Sequence, residues 1–245
     1  MITIGFSTGS LAKGDFKHAL NMLKSHPNSH AIELSALREL ELPLLVDSIP
    51  KLDLKQYKYI SVHAPSKLIN FSEDILINLL QKITSLKIPI IVHPDIIIDF
   101  EKWLQFGEFL CIENMDKRKS IGRTAEDLLK LFARLPEATF CLDLAHAKQI
   151  DPTMIEAAKM LRLFSRRLRQ FHISDVISDS THVPINIEAI LAFRKIEKLI
   201  PRSIPFIIES PVSESYINHE FDFVRSIFNV SNHYSHYNNP FISNS

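Results

Sequence analysis

Phe109-Leu-Cys-Ile-Glu-Asn114 and Thr139-Phe-Cys-Leu-Asp143 frame the stretch whose reading decides the fold. Both are short apolar runs that end on an acidic or amide side chain. Between them, Thr124-Ala-Glu-Asp127 opens a helix with an acidic first turn, and Leu128, Leu131, Phe132 and Leu135 repeat at helical spacing. Strand, helix and strand, with strand ends about 30 residues apart, make one parallel β/α unit.

The unit recurs in both directions from this stretch. Strands are predicted at Ile2–Ser7, Ala31–Ser35, Tyr59–His63, Ile88–His93, Phe109–Asn114, Thr139–Asp143, Gln170–Ser174 and Pro205–Glu209. Ile75, Leu76, Leu79, Leu80 and Ile83 predict one apolar helix face, with Ser72 as N-cap. Asp151-Pro152 reads as an N-cap followed by proline at the first helical position. The short segment Ile98–Phe106 has room for a helix of two turns. Eight such units predict a single (β/α)8 TIM barrel over residues 1–229. An open doubly wound sheet is the alternative, but it rarely needs eight regular units. From Val230 the sequence turns polar and repetitive in Asn, Ser, His and Tyr, which predicts a short flexible tail over 230–245.

Composition narrows the function classes. Of 245 residues 46% are hydrophobic and 23% charged, and 28 Lys+Arg balance 28 Asp+Glu. Net neutrality argues against strong nucleic-acid affinity through bulk charge, and leaves room for a local patch. Two cysteines, Cys111 and Cys141, are too few for a disulfide scaffold and read as reduced core residues. No apolar run reaches the ~18 residues of a membrane span, and Met1-Ile-Thr-Ile-Gly5 lacks a signal-peptide pattern, so a cytoplasmic protein is expected. The five glycines form neither a dinucleotide fingerprint nor a P-loop.

Barrel chemistry sits at the C-terminal ends of the strands. Read in order, the last polar residues of strands three to eight are His63, His93, Glu113, Asp143, His172 and Glu209. Each follows an apolar residue (Val62, Val92, Ile112, Leu142, Phe171, Ile208), so two-residue alternation turns the six polar groups toward the axis. Any one of them alone would ordinarily cap a helix or complete a hydrogen bond. Six at one rim, drawn from 28 acids and 11 histidines in the whole chain, exceed chance. Three carboxylates at close range repel one another, and divalent cations resolve this, since carboxylate oxygens and imidazole nitrogens ligate zinc, manganese and related ions. A purely hydrogen-bonded polar plug is the competing reading. Cys111 and Cys141 lie two residues deeper, so the rim offers no thiolate, which favours a catalytic site over a structural zinc site. His146 and His182 lie within reach of the same rim.

With these motifs in view, the sequence resembles the xylose isomerase-like barrels, and within them the endonuclease IV (AP endonuclease family 2) branch. Val62-His-Ala-Pro-Ser-Lys-Leu-Ile-Asn70, Val92-His-Pro94, Ile112-Glu-Asn114, Cys141-Leu-Asp-Leu-Ala-His-Ala147, Phe171-His-Ile-Ser-Asp175 and Ile208-Glu-Ser-Pro211 follow that branch's motifs in order, over strands three to eight. Ser66-Lys67 stands where the branch has an aromatic. The resemblance implies two or three cations, zinc foremost, with Mn2+ or Mg2+ also compatible. Glu113 would bridge two of them; His63 and His93 would complete the first site, and Asp143, His172 and Glu209 the second. His146 and a pair from the loop after strand seven would hold a third. In that loop, Ser178-Asp-Ser-Thr-His182, Ser180 occupies the place of the family's Asp.

Two reactions are compatible with this rim. In phosphoester hydrolysis, a metal-activated hydroxide attacks phosphorus, and Lys67, Arg123 or Lys148 meets the phosphate. In sugar isomerisation or epimerisation, one ion is held, Glu113 and Glu209 move the proton, and His146 binds a hydroxyl. His63 and His93, which a mononuclear site does not need, favour hydrolysis. A barrel that binds metal without turnover is a third reading. Glu33, at the end of strand two, reads as a substrate contact or as a helix-capping or hydrogen-bonding residue, and Trp103 as a sugar-stacking or core residue. The basic cluster Arg166-Arg167-Leu-Arg169 precedes strand seven and belongs to the opposite face of the barrel. The expected substrate is a small phosphorylated compound, a sugar or abasic DNA.

Overall fold

The computed structural model describes residues 2–228; the tail predicted over 230–245 lies outside them. Eight parallel strands close into one barrel in sequence order: Ile4–Ser7, Ala31–Ser35, Tyr59–His63, Ile90–Val92, Leu110–Glu113, Thr139–Asp143, Leu168–Ile173 and Phe206–Ile208. The first pairs with the last, Phe6 opposite Ile208. A helix follows every strand: Phe16–Leu23, Leu42–Ser48, Glu73–Thr84, Phe100–Trp103, Ala125–Arg134, Ile155–Leu163, Ile187–Arg194 and Ile217–Phe228. This is the (β/α)8 TIM barrel that the repeating unit predicts. Among the described residues no helix is long and apolar enough to cross a membrane.

Two-residue alternation separates two apolar layers. Val62, Val92, Ile112, Leu142, Phe171 and Ile208 are fully buried in the large core between strands and helices. Ile91, Cys111 and Cys141 form a separate cluster inside the barrel. Burial pushes the Cys111 thiol up to about 12, so it stays protonated, as expected of a core residue. Strands one and two approach closely at Gly5, where a Cβ would stand 1.7 Å from the Ala31 carbonyl oxygen.

Three helix expectations need correction. In Glu73–Thr84, Ser72 caps the Ile75 amide as expected, but Ile75 is exposed and Ile77 takes its place in the core. The buried face is rotated toward Glu73, whose carboxylate accepts from Ile98 N, Asp99 N and Trp103 Nε1. That bond also settles Trp103, which is fully buried and faces no substrate. After strand four, the expected two-turn helix is one α-turn, Phe100–Trp103, running into a 3-10 segment that breaks at Gly107 (φ 50°). Asp151 does not sit at the N-cap: the helix starts at Ile155, and Asp151 accepts from Thr153 N and Glu156 N across an intervening turn. Thr124 does cap Ala125–Arg134, and Leu128, Leu131, Phe132 and Leu135 are all buried.

One loop next to the barrel mouth depends on a single carboxylate. Glu39 accepts from the backbone amides of Ile69, Asn70 and Phe71 and from the Asn70 side chain. Burial opposes ionisation there, but these four donors outweigh it and hold the acid at about 2, against an ordinary 4.5. A carboxyl depressed on folding stabilises the fold above its ordinary value, and that stability is lost as pH falls toward the folded value. Glu39→Gln is therefore expected to melt below the wild type at neutral pH. The gap should close between about pH 4.5 and 2, as read by circular dichroism melts across that range.

Candidate metal centre

The six strand-end residues converge. Glu113, at the end of strand five, is at the middle of the mouth and almost fully buried. His63 Nε2 and His93 Nε2 stand 3.2 and 3.1 Å from its Oε2, and His172 Nδ1 is 2.9 Å from its Oε1. Glu209 Oε2 is 3.5 Å from His172 Nδ1, and His146 Nδ1 is 3.6 Å from Glu113 Oε1. Asp143 lies directly opposite His172 in the strand pairing. His93 and Glu209 each stand one residue beyond shorter strands than predicted, and both still face the mouth.

Local structure fixes the orientation of these groups. Asp143 Oδ1 caps the next helix by accepting from His146 N (2.7 Å), which places His146 over the same mouth. Asn114 ties strands five and six together, donating from Nδ2 to the Asp143 carbonyl and accepting from Asp143 N. Four imidazoles have their rear nitrogen engaged: His63 on the Ala64 carbonyl, His146 on the Asn114 carbonyl, His172 on Glu33 and His182 beside Ser174 Oγ. Metal-binding histidines are characteristically oriented this way.

The electrostatics follow from crowding. Burial alone would raise the Glu113 pKa, but the His172 charge and hydrogen bonds from His172, His63 and His93 hold it well below the usual carboxylate range. His63 is raised to about 9: burial pulls it down, and Glu113 and Glu33 more than reverse that. Burial, with Glu113, Asp143 and Glu33 nearby, pushes Glu209 up to about 8, although His172 pulls the other way. His182 falls to about 4 through burial and the His146 charge.

Four groups of side chains have ligand atoms within metal-binding reach of one another. They are His63, His93 and Glu113; Glu113, Asp143, His172 and Glu209; Asp143, His146 and His182; and His63, His172 and Glu209. Asp143 Oδ2 and His146 Nε2 are buried with no hydrogen-bond partner. Unpartnered buried polar atoms are costly, and two within one imidazole–carboxylate set are what a cation would satisfy. The donor set, nitrogen and oxygen without thiolate, fits zinc or manganese. Ser180 takes no part: its hydroxyl donates to Gln149 Oε1, so the third set has only the shared Asp143 as its acid.

The substrate-contact expectations fare unevenly. Lys67 is exposed and lines the cavity above the rim. Arg123 is not part of that lining, and its Nε is buried without a partner. Lys148 is engaged by Asp175 (2.6 Å). Glu33 does not reach the mouth; it lies fully buried beneath His172 and also accepts from Gln170 and Ser61. Arg167 donates to the Pro136 and Ala138 carbonyls at the N-terminal side of the barrel, opposite the site. The basic run at the mouth is instead Lys117-Arg118-Lys119 in the loop after Glu113. Its position just past a strand end was the available signal.

These features define a TIM barrel with an imidazole–carboxylate mouth. Solved structures share the fold: endonuclease IV from Thermus thermophilus gives a TM-score of 0.56 at 18% identity, covering 91% of this chain and 99% of that one. AP endonuclease family 2 from Brucella melitensis gives 0.55 at 12% identity, covering 88% and 96%. A protein described as a putative sugar phosphate isomerase/epimerase from Anabaena variabilis gives 0.55 at 14%, covering 90% and 88%. No family model matches the sequence, and no curated protein does.

The Glu33 carboxylate holds His172 from behind, so Glu33→Gln should weaken metal affinity about tenfold or more without loss of the fold. Competition of the chain with a chromophoric zinc chelator measures this, alongside a melt.

Proposed function

We propose that the protein is a metal-dependent hydrolase of phosphoesters. The observation that carries the reading is the position of Glu113, with two imidazoles on one carboxylate oxygen and a third on the other. A carboxylate between two nitrogen sets is suited to bridging two cations, and a one-ion site has no use for His63 and His93. Bound there, the cations would supply Lewis acidity and a nucleophile at neutral pH.

The chain's own residues do the rest. His63, His93 and Glu113 hold one side; Asp143, His172 and Glu209 hold the other, with Glu113 shared. Glu209 closes the second set beside Asp143 and His172, where it would hold a cation through its ionised carboxylate. His146 and His182 stand over the same mouth with Asp143 and can orient the phosphoryl group or add a further ion. The likeness in fold to endonuclease IV and AP endonuclease family 2 supports this reading.

Sugar isomerisation is the second reading. It is favoured by the compact Glu113, Asp143, His172 and Glu209 set, which suffices for one ion, and by the fold shared with the Anabaena protein. Elemental analysis separates the two. The hydrolase reading expects at least two zinc or manganese ions per chain, one of them lost in His63→Ala, and bis(p-nitrophenyl) phosphate cleavage lowered at least a hundredfold in Glu113→Gln. A single ion retained in His63→Ala and lost in Glu209→Gln would favour the isomerase.

A further inference from the structure

The loop from Met115 to Gly122 leaves strand five directly beside Glu113 and closes on itself, Met115 N donating to the Gly122 carbonyl (2.9 Å). Gly122 is in the left-handed region (φ 80°), with Pro94 packed where a Cβ would stand. At the tip, two cations diverge to either side of the site. Arg118 donates from Nε and Nη2 to the two Asp116 oxygens (3.0 and 2.8 Å), and Asp116 Oδ2 is 4.0 Å from His146 Nε2. Lys119 Nζ is held by Asp95 and by the Ser66 carbonyl (3.4 Å) on the other side. Neither pair consumes its cation: Arg118 keeps Nη1, and an ammonium has three donors.

Between them lies a cavity of about 560 Å³, lined by Lys67, Arg118, Lys119, Asp95, His93 and His182. His93 and His182 belong to different ligand sets, so a molecule touching both spans the metal centre and meets the three cations. A volume of this order suits a small-molecule ligand. Duplex binding instead needs several phosphate contacts spread along a surface, and the cluster Arg166–Arg169 lies at the other end of the barrel.

We propose that Arg118 and Lys119 form the anion clamp of this site, and that its substrate is a small phosphorylated molecule, up to the size of a mononucleotide, rather than a DNA duplex. The clamp reads the phosphoryl oxygens that the metal centre leaves free, bidentate or charge-assisted contacts being the geometry that Arg and Lys supply. This rests on the hydrolase reading for the orientation of the substrate, and on the cavity itself for its charge and size.

The test is calorimetric titration of the chain as purified with inorganic phosphate and with adenosine 5′-monophosphate. In the Arg118→Gln/Lys119→Gln double variant, affinity for both should fall at least about tenfold, the loss of one charge-assisted hydrogen bond or more. Zinc content should stay at the wild-type value, since neither residue is in a ligand set. Affinities within about twofold of wild type overturn the clamp, being less than one such bond is worth. An abasic-site duplex that binds more tightly than the mononucleotide overturns the size assignment. Arg118 is half exposed, so Arg118→Gln alone serves if the double variant fails to fold. The two readings fail separately. Lost phosphate affinity in a chain that cleaves no phosphoester removes the hydrolase alone; unchanged affinity in a chain that does cleave removes the clamp alone.

Discussion

Three imidazoles share one buried carboxylate, and the rest of the site is arranged around that fact. A lone ionised Glu113 in the middle of a barrel would carry a desolvation penalty of several kcal/mol. Here His63, His93 and His172 surround it from three different strands. Because parallel strands in a closed barrel tilt and stagger in a fixed way, successive strand ends bring their last inward residue to one ring. The convergence is therefore set by the backbone. Such a ring is costly to hold by hydrogen bonds alone: burial first, and like charges nearby second, raise Glu209 and lower His182.

Beneath the ring the barrel interior stays polar for one more layer. Glu33 joins His172 to Gln170, and Gln170 accepts from Tyr59. Below and beside these, Ile91, Cys111 and Cys141 form a buried apolar cluster. The polar layer holds the His172 ring with Nε2 on Glu33 and Nδ1 toward the mouth, an orientation that an all-apolar interior could not impose. The site is thus supported from underneath as well as from the flanking loops.

The eight strands and the ring of six were legible because both depend on local pattern: period-two alternation, a polar residue at each strand end, and regular spacing. What failed to read was three-dimensional depth. Glu33 reads as a substrate contact, yet its strand, predicted and observed alike as Ala31–Ser35, runs two residues beyond it and leaves it below the ring. Ile75 and Ile77 are equivalent in a helical count, and only the anchoring of Glu73 decides which is buried. Asp151 illustrates the same limit at a helix start, where a turn intervened between the acid and the first helical residue. Arg118 and Lys119 went unread because a charge run in a loop ordinarily means a solvated surface; their meaning comes from Asp116 and Asp95, which turn them over the cavity.

Charge balance links the ring to the loop above it. The ligand sets contain only three carboxylates, Glu113, Asp143 and Glu209, because Ser180 contributes none and Asp143 serves two sets. Two divalent cations would exceed that negative charge, and a third would exceed it further. Uncompensated positive charge in a low-dielectric mouth favours an anion strongly. Arg118 and Lys119 add to the same field, and their carboxylate partners Asp116 and Asp95 hold them in place and partly neutralise them. The cations of the clamp are thereby oriented in advance, which lowers the entropic cost of binding a phosphoryl group. A neutral sugar would gain little from such a field, and this is the physical reason that the electrostatics of the mouth and the central position of Glu113 favour the same class of substrate.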